Sequence, residues 1–185
     1  MMVVTLIGYR ATGKTTVAPA LAAALTAWGR RVGPDWRAID ADQEIERRAG
    51  RSIKEIFAEE GEPGFRRRER EELSRLLAEA NIVLSAGGGA VLDPGTREAM
   101  RRAGPVVWLQ ASVDLIVSRM QGDATTASRR PALTAETDPR AEVVRLLAIR
   151  EPLYAETATV TVATDGRTVE EIVEEITEGL ARGTT

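Results

Sequence analysis

The sequence predicts an α/β fold, a parallel sheet flanked by helices on both faces. Three observations lead there. Short apolar runs alternate along the chain with helix-length segments, the pattern of βαβ units. The first run, Val3 to Ile7, suits a strand buried on both faces. It ends at Gly8 and leads through a glycine-containing turn straight into a helical pattern.

The elements follow in order. From about Lys14 to Trp28, Val17, Ala18, Leu21, Ala24 and Leu25 recur at helical spacing. Pro19 lies within this stretch and is tolerable only near its first turns. Residues 29–35 read as a loop and Ala38 to Asp40 as a second strand. Gln43 to Ala49 and Ser52 to Glu59 read as short helices, the second opened by a Ser52–Glu55 capping box. Phe65 to Ala80 reads as a charged helix with Leu73, Leu76, Leu77 and Ala80 on one face. Ile82 to Ser85 is a strand running into Gly87-Gly88-Gly89. Val106 to Leu109 is a further strand, with a helix from about Ser112 to Met120. Gln121 to Thr137 has no periodicity, as functional lids often have none. Asp138-Pro139 caps and starts a helix to about Arg150. Thr159 to Ala163 is the last strand. Thr168, with Glu171 three residues on, opens the last helix, whose buried stripe is Val169, Ile172, Val173, Ile176 and Leu180. No repeat or linker interrupts 1–185, so one domain is expected.

Composition narrows the chemistry. The 185 residues contain no Cys and no His. Disulfides, thiolate nucleophiles, imidazole bases and the usual zinc sites are excluded. Of the 25 basic residues only Lys14 and Lys54 are lysines. Acid–base and metal work must fall to carboxylates, hydroxyls, backbone groups, Arg and Lys, the groups that phosphoryl transfer uses. A net charge of −3 gives no reason to expect nucleic acid. The longest uncharged run, Thr15 to Gly29, is too short to span a bilayer, and the N-terminus lacks a basic targeting region. A soluble, cytoplasmic chain without a membrane partner is expected, working as a monomer.

Gly8-Tyr9-Arg10-Ala11-Thr12-Gly13-Lys14-Thr15 matches the phosphate-binding pattern G-x-x-x-x-G-K-[ST] between a strand and a helix. The glycines let successive N–H groups converge, and the helix adds the positive end of its dipole. Lys14 supplies a mobile cation and Thr15 a hydroxyl for Mg²⁺. A bound nucleoside triphosphate with Mg²⁺ is expected.

Three further features bear on what receives the phosphate. Asp40-Ala41-Asp42 closes the second strand, at the end of the sheet where ligands bind. Asp40 there would suit hydrated Mg²⁺ and Asp42 a proton acceptor. The same pair also suits a helix cap with an acidic first turn. Gly87-Gly88-Gly89 exposes backbone to a small ligand, or is simply a flexible turn. Arg66, Arg130 and Arg150 lie far apart in sequence, and an Arg fork holds a carboxylate by two parallel hydrogen bonds.

In combination these strings resemble the shikimate kinase family from Val3 to about Glu175. The matching segments are 8–16, Asp-Ala-Asp-Gln-Glu-Ile-Glu at 40–46, Ile-Phe-Ala-Glu-Glu-Gly-Glu at 56–62, Phe65-Arg66 and Gly87-Gly88-Gly89-Ala90-Val91. They continue with Arg130-Pro131-Ala132-Leu133, Arg150-Glu151-Pro152-Leu153-Tyr154 and Thr164-Asp165-Gly166-Arg167. The resemblance implies a nucleoside-monophosphate-kinase-like P-loop fold with a mobile lid at about 121–138 and an acceptor-binding segment at about 40–70. It implies ATP-dependent phosphorylation of the 3-hydroxyl of shikimate, within aromatic amino-acid biosynthesis. Asp42, Arg66, Gly88 and Arg150 would contact shikimate, with Gly87 and Gly89 beside them. Ala11, Thr12, Gly13, Lys14, Thr15 and Thr16 would cradle the phosphates, and Arg119 and Arg167 would lie near adenine. Arg130 would reach the phosphates from the lid. Lys14, Asp42 and Arg130 would be the catalytic groups, and Thr15 with Asp40 the Mg²⁺ side. Gly64, before Phe65-Arg66, stands where a bulkier residue is expected; Pro19 and the longer 28–37 stretch with Trp36 are further departures. Another small-molecule kinase, acting on gluconate or a nucleotide, and a non-catalytic nucleotide-binding module are the competing expectations.

Overall fold

A computed structural model describes residues 2–29, 35–122 and 138–182. Five strands form one parallel sheet: β1 (Val3–Ile7), β2 (Arg37–Asp40), β3 (Ile82–Ser85), β4 (Val106–Gln110) and β5 (Val160–Ala163), in the order β2-β3-β1-β4-β5. β1 is central, pairing Val3 with Ile82 on one side and Thr5 with Val106 on the other. The helices are α1 (Lys14–Gly29), α2 (Ala41–Ala49), α3 (Ile53–Leu76), α4 (Pro94–Ala103), α5 (Val113–Gly122), α6 (Pro139–Thr157) and α7 (Val169–Arg182).

Successive strand residues point to opposite faces, and each face has its own helices. Val4, Leu6, Val83, Val107, Leu109 and Val162 pack against α1 and α7 through Leu21, Leu25, Ile172 and Ile176. Val3, Ile7, Ile82, Leu84, Val106 and Trp108 pack against α3, α4 and α6 through Leu73, Leu76, Met100 and Tyr154. Two apolar layers back to back explain why the strands read as unbroken hydrophobic runs. All five strands therefore end on one edge of the sheet, where the loops carrying the candidate residues gather.

Most expected elements are present, with ends moved by one or two residues. The capping box holds: Ser52 Oγ accepts from the Glu55 N–H at 3.2 Å and Glu55 Oε2 from the Ser52 N–H at 2.7 Å. Pro19 sits inside α1. The carbonyl it deprives of a donor is that of Thr15, and both residues are exposed, so water can replace the lost bond.

Three expectations are corrected. The stretch 94–103, left without an element, is α4; Asp93 caps it by accepting from the Thr96 N–H at 2.8 Å, and Pro94 begins it. Second, α6 does not stop at Arg150 but continues through Pro152 to Thr157. Pro152 is exposed, while Tyr154 two residues on is fully buried against Trp108, ring centroids 5.7 Å apart. Burying that aromatic outweighs one missing backbone bond. Third, the helix from Phe65 ends at Leu76, short of Ala80.

Residues 123–137 of the expected lid, Arg130 among them, lie outside the described residues. Among the described residues no helix is long and apolar enough to cross a membrane.

Candidate active site

The site starts from the turn between β1 and α1. Gly8 has φ +138 and a Cβ there would fall 2.5 Å from the Leu109 carbonyl oxygen. Only glycine fits that approach. Ala11 takes the left-handed region at φ 63 and Gly13 lies at φ 101. Thr12 Oγ1 braces the turn by donating to the Tyr9 carbonyl at 2.9 Å. The first turn of α1 carries no acidic side chain, so its N-terminal field is open to an anion. Lys14 is buried and donates Nζ to the Gly8 and Tyr9 carbonyls at 2.8 and 2.7 Å, which holds the cation over the loop.

Asp40 makes contacts compatible with both readings of the acidic pair. Its Oδ1 caps α2, accepting from the N–H groups of Asp42 (3.0 Å) and Gln43 (3.4 Å). Its Oδ2 accepts the Thr15 hydroxyl at 2.8 Å. Thr15 and Asp40 thus form the hydroxyl–carboxylate pair that suits a mostly hydrated Mg²⁺. That ion takes few protein ligands beside water and phosphate oxygens. No cluster of three or more acidic side chains able to hold a metal occurs among the described residues.

A cleft of about 660 Å³ opens over this turn. Ala11, Thr12, Gly13, Lys14, Thr15 and Thr16 line it, together with Asp40, Asp42, Gly87, Gly88, Arg119 and Arg167. Arg119 reaches back from α5 and donates to the Ala11 carbonyl at 3.0 Å. Arg167 lines the same cleft, donating to the Ala163 and Glu171 carbonyls at 3.3 and 2.9 Å. These two cations, 48 positions apart in sequence, reach one cleft from α5 and from the link before α7.

The triple glycine is a junction. Gly87 faces the cleft. Gly88 packs on the phosphate turn, with a would-be Cβ 3.3 Å from the Gly8 carbonyl oxygen. On its other side its carbonyl accepts from Tyr154 Oη at 2.6 Å and Arg150 Nη1 at 3.4 Å. Those residues are four apart on α6, hence on one face, and share the carbonyl only because the helix runs through Pro152. Gly89 lies against Arg66, where a Cβ would come within 2.4 Å of Nη1.

Arg66 and Arg150 do not line the nucleotide cleft itself; they flank the glycine junction beside it. Arg150 is buried and its guanidinium lies over the Tyr9 ring at 5.6 Å. Arg66 donates Nη1 to Glu69 at 2.6 Å, and Nε and Nη2 to Glu62 at 3.3 and 3.2 Å. Burial works against its charge, but the two carboxylates more than offset this, so its pKa is raised. Three of its five N–H groups are used in these bonds. One hydrogen on each terminal nitrogen remains for a planar anion.

The sequence reading missed Glu62 and Glu69, although their positions four before and three after Arg66 are helical neighbours of it. It also missed Glu142, whose carboxylate accepts from Arg10 Nη2 at 2.7 Å. Those two residues are 132 positions apart, and no local pattern links them. Gln43, Glu46 and Ser85 line the cleft without having been singled out.

Comparison with known proteins agrees with this geometry. A family model described as "Shikimate kinase" matches residues 10–181. A shikimate kinase of Symbiobacterium thermophilum is 41% identical over 179 residues, covering 97% of this chain and 96% of the relative. The solved structure of shikimate kinase from Acinetobacter baumannii in complex with shikimate superposes with a TM-score of 0.87 at 34% identity, covering 99% and 94% of the two chains. A gluconokinase from Sinorhizobium meliloti superposes at 0.60 with 19% identity, covering 98% of this chain and 92% of that one. That last likeness speaks for the fold alone.

Proposed function

The chain belongs to the shikimate kinase family, and from that premise we propose that its cleft transfers the terminal phosphoryl group of ATP to the 3-hydroxyl of shikimate. The enzyme uses ATP and Mg²⁺. The observation that carries the reading is one junction. Gly87 and Gly88 line the nucleotide cleft with Asp42, while Arg150 meets Gly88 and Arg66 meets Gly89. That arrangement supports a phosphate donor on one side of three residues and a carboxylate-bearing acceptor on the other.

In this reading Ala11 to Thr16 cradle the phosphates through backbone N–H groups and hydroxyls. Lys14 places positive charge where it builds up during transfer. Thr15 and Asp40 hold the Mg²⁺, which when bound neutralises phosphate charge. Arg66 and Arg150 grip the acceptor's carboxylate, and Asp42 orients its hydroxyl and takes the proton. Arg119 and Arg167 flank the nucleotide, and Arg130 adds a further cation for the transferring group. Most of the catalysis is positioning and electrostatics, with little demand for a strong base. The chain acts as one domain, a cytoplasmic monomer with no nucleic-acid partner.

ADP release in a coupled assay tests the activity: turnover should depend on shikimate, ATP and Mg²⁺ together. ATP binding without shikimate-dependent turnover would overturn it, and turnover with gluconate or a nucleoside monophosphate instead would reassign the acceptor. Asp42→Asn should largely abolish turnover while ATP binding, followed by calorimetry, stays nearly intact. Lost ATP binding would make Asp42 a structural residue.

A further inference from the structure

The helix that carries Arg66 is not continuous. Gly61 takes φ 66 and ψ −177 inside α3, so the chain bends there and restarts before Phe65. The bend folds Glu60 over Gly64. A Cβ on Gly64 would lie 2.3 Å from Glu60 Cβ and 3.0 Å from its Oε2. The first of these atoms is fixed to the backbone, so no rotamer of Glu60 relieves the clash. Gly64 is buried, and its position departs from the bulkier residue expected there because Glu60 fills the space.

Glu60 is itself held from three sides. Its carboxylate accepts from Arg68 Nε at 3.0 and 3.1 Å and Nη2 at 2.8 Å, from Arg51 Nη2 at 2.9 Å, and from Arg67 Nη2 at 3.4 Å. Arg51 belongs to the link between α2 and α3, Glu60 to the first segment of α3, and Arg68 to the second. One carboxylate therefore ties three pieces of backbone across the bend. Arg66 sits midway between Gly64 and Arg68, on the segment whose register this tie sets. The Arg68 guanidinium, with Arg51 behind it, holds the Glu60 carboxyl below its usual range, so the tie stays charged near neutral pH.

We propose that Glu60 and Gly64 are positioning residues for acceptor binding. Glu60, locked by Arg51 and Arg68 against a site that only glycine fits, fixes the bend at Gly61 and so aims Arg66 at the acceptor's carboxylate. The inference rests on the reading of Arg66 as a carboxylate clamp. Neither residue touches substrate; both act through Arg66, whose own ion pairs with Glu62 and Glu69 then set only the rotamer.

Steady-state kinetics with shikimate and ATP varied separately tests this, with Arg66→Ala as the reference. Glu60→Gln keeps the size and removes the charge. It should raise the shikimate KM about tenfold, as small misplacements of a positioning group do, and leave kcat and the ATP KM within about twofold. Gly64→Ala should raise it further. Adding Glu60→Gly to Gly64→Ala removes the clashing carbon, so the double variant should bind shikimate better than Gly64→Ala alone. A Glu60→Gln enzyme with an unchanged shikimate KM, beside an Arg66→Ala enzyme whose KM has risen sharply, overturns the inference and spares the clamp. Equal losses in kcat and both KM values also overturn it, since they mark general damage. An unchanged KM in Arg66→Ala removes the clamp itself, and the inference with it. Should Gly64→Ala fail to fold, the Glu60→Gln comparison alone decides.

Discussion

The nucleotide side and the acceptor side of this molecule are built in different ways. The proposed nucleotide side is built chiefly on nine consecutive residues, 8–16, whose backbone N–H groups, Lys14 and Thr15 hydroxyl gather at one turn, with Asp40, Arg119 and Arg167 added from elsewhere. The proposed acceptor side is assembled from Asp42, Arg66, Gly88, Gly89 and Arg150, carried on four separate segments. A contiguous loop is held by its own turn geometry, as the Thr12–Tyr9 and Lys14–Gly8 bonds show. A dispersed site is held only by packing and by long-range bonds such as Tyr154 to Gly88. Damage to the first side should therefore strike the chemistry. Damage to the second should strike acceptor affinity.

Four substitutions sharpen or break that contrast, from the largest effect down. Lys14→Ala should lower kcat by about 10²–10³, the usual cost of one preorganised charge-stabilising donor. Single-turnover kinetics checks it; a change in the shikimate KM alone would erase the distinction. Arg150→Ala should raise the shikimate KM, costing about 2–5 kcal/mol of binding as one arm of a charged clamp is lost. The ATP KM should hold, and calorimetric titration with each ligand separates the two. Gly89→Ala adds a methyl against the tip of Arg66, a flexible end that can swing away. Acceptor binding should weaken by about 1–3 kcal/mol, with a fall in Tm because the guanidinium must shift against its ion pair with the buried Glu69.

The smallest effect belongs to Tyr9, on the border between the sides. Its hydroxyl is buried with no hydrogen-bond partner among the described residues, and burial chiefly pushes its pKa up from 10.0. Tyr9→Phe should raise stability at pH 7 by about 1 kcal/mol, because it removes a buried hydroxyl that lacks a partner. The sign at high pH is definite. A raised pKa means the folded state holds its proton longer than the unfolded chain. Tyr9 therefore costs stability as pH climbs past 10, and the Phe variant should lose less there. Equilibrium urea unfolding between pH 7 and 11 measures both limbs.

The contrast also decides what was legible beforehand. The phosphate turn, the Ser52 and Asp138 caps and the alternation of strands with helices depend on neighbours in sequence, and the pattern exposed them. The same Asp-Pro signal marks α4 at Asp93-Pro94 and was passed over, although nothing hid it. Which strand face packs on which helices was not legible, because the inner strands β1, β3 and β4 are largely apolar on both faces. Pro152 argued for a helix end and was overruled by the burial of Tyr154, which no local rule weighs.

The sequence by itself determined the phosphate-binding turn, its cation and hydroxyl, and the exclusion of Cys and His chemistry. It could do so because each rests on residue type and local spacing. Only the tertiary structure decided that Asp40 is at once a helix cap and the partner of Thr15. Only it showed that Gly88 is shared between the phosphate turn and α6, and that Glu60 fills the place of a side chain at Gly64. Those are contacts through space. Their energies depend on distances of a few ångströms between residues four to more than sixty positions apart, and no pattern along the chain carries such distances.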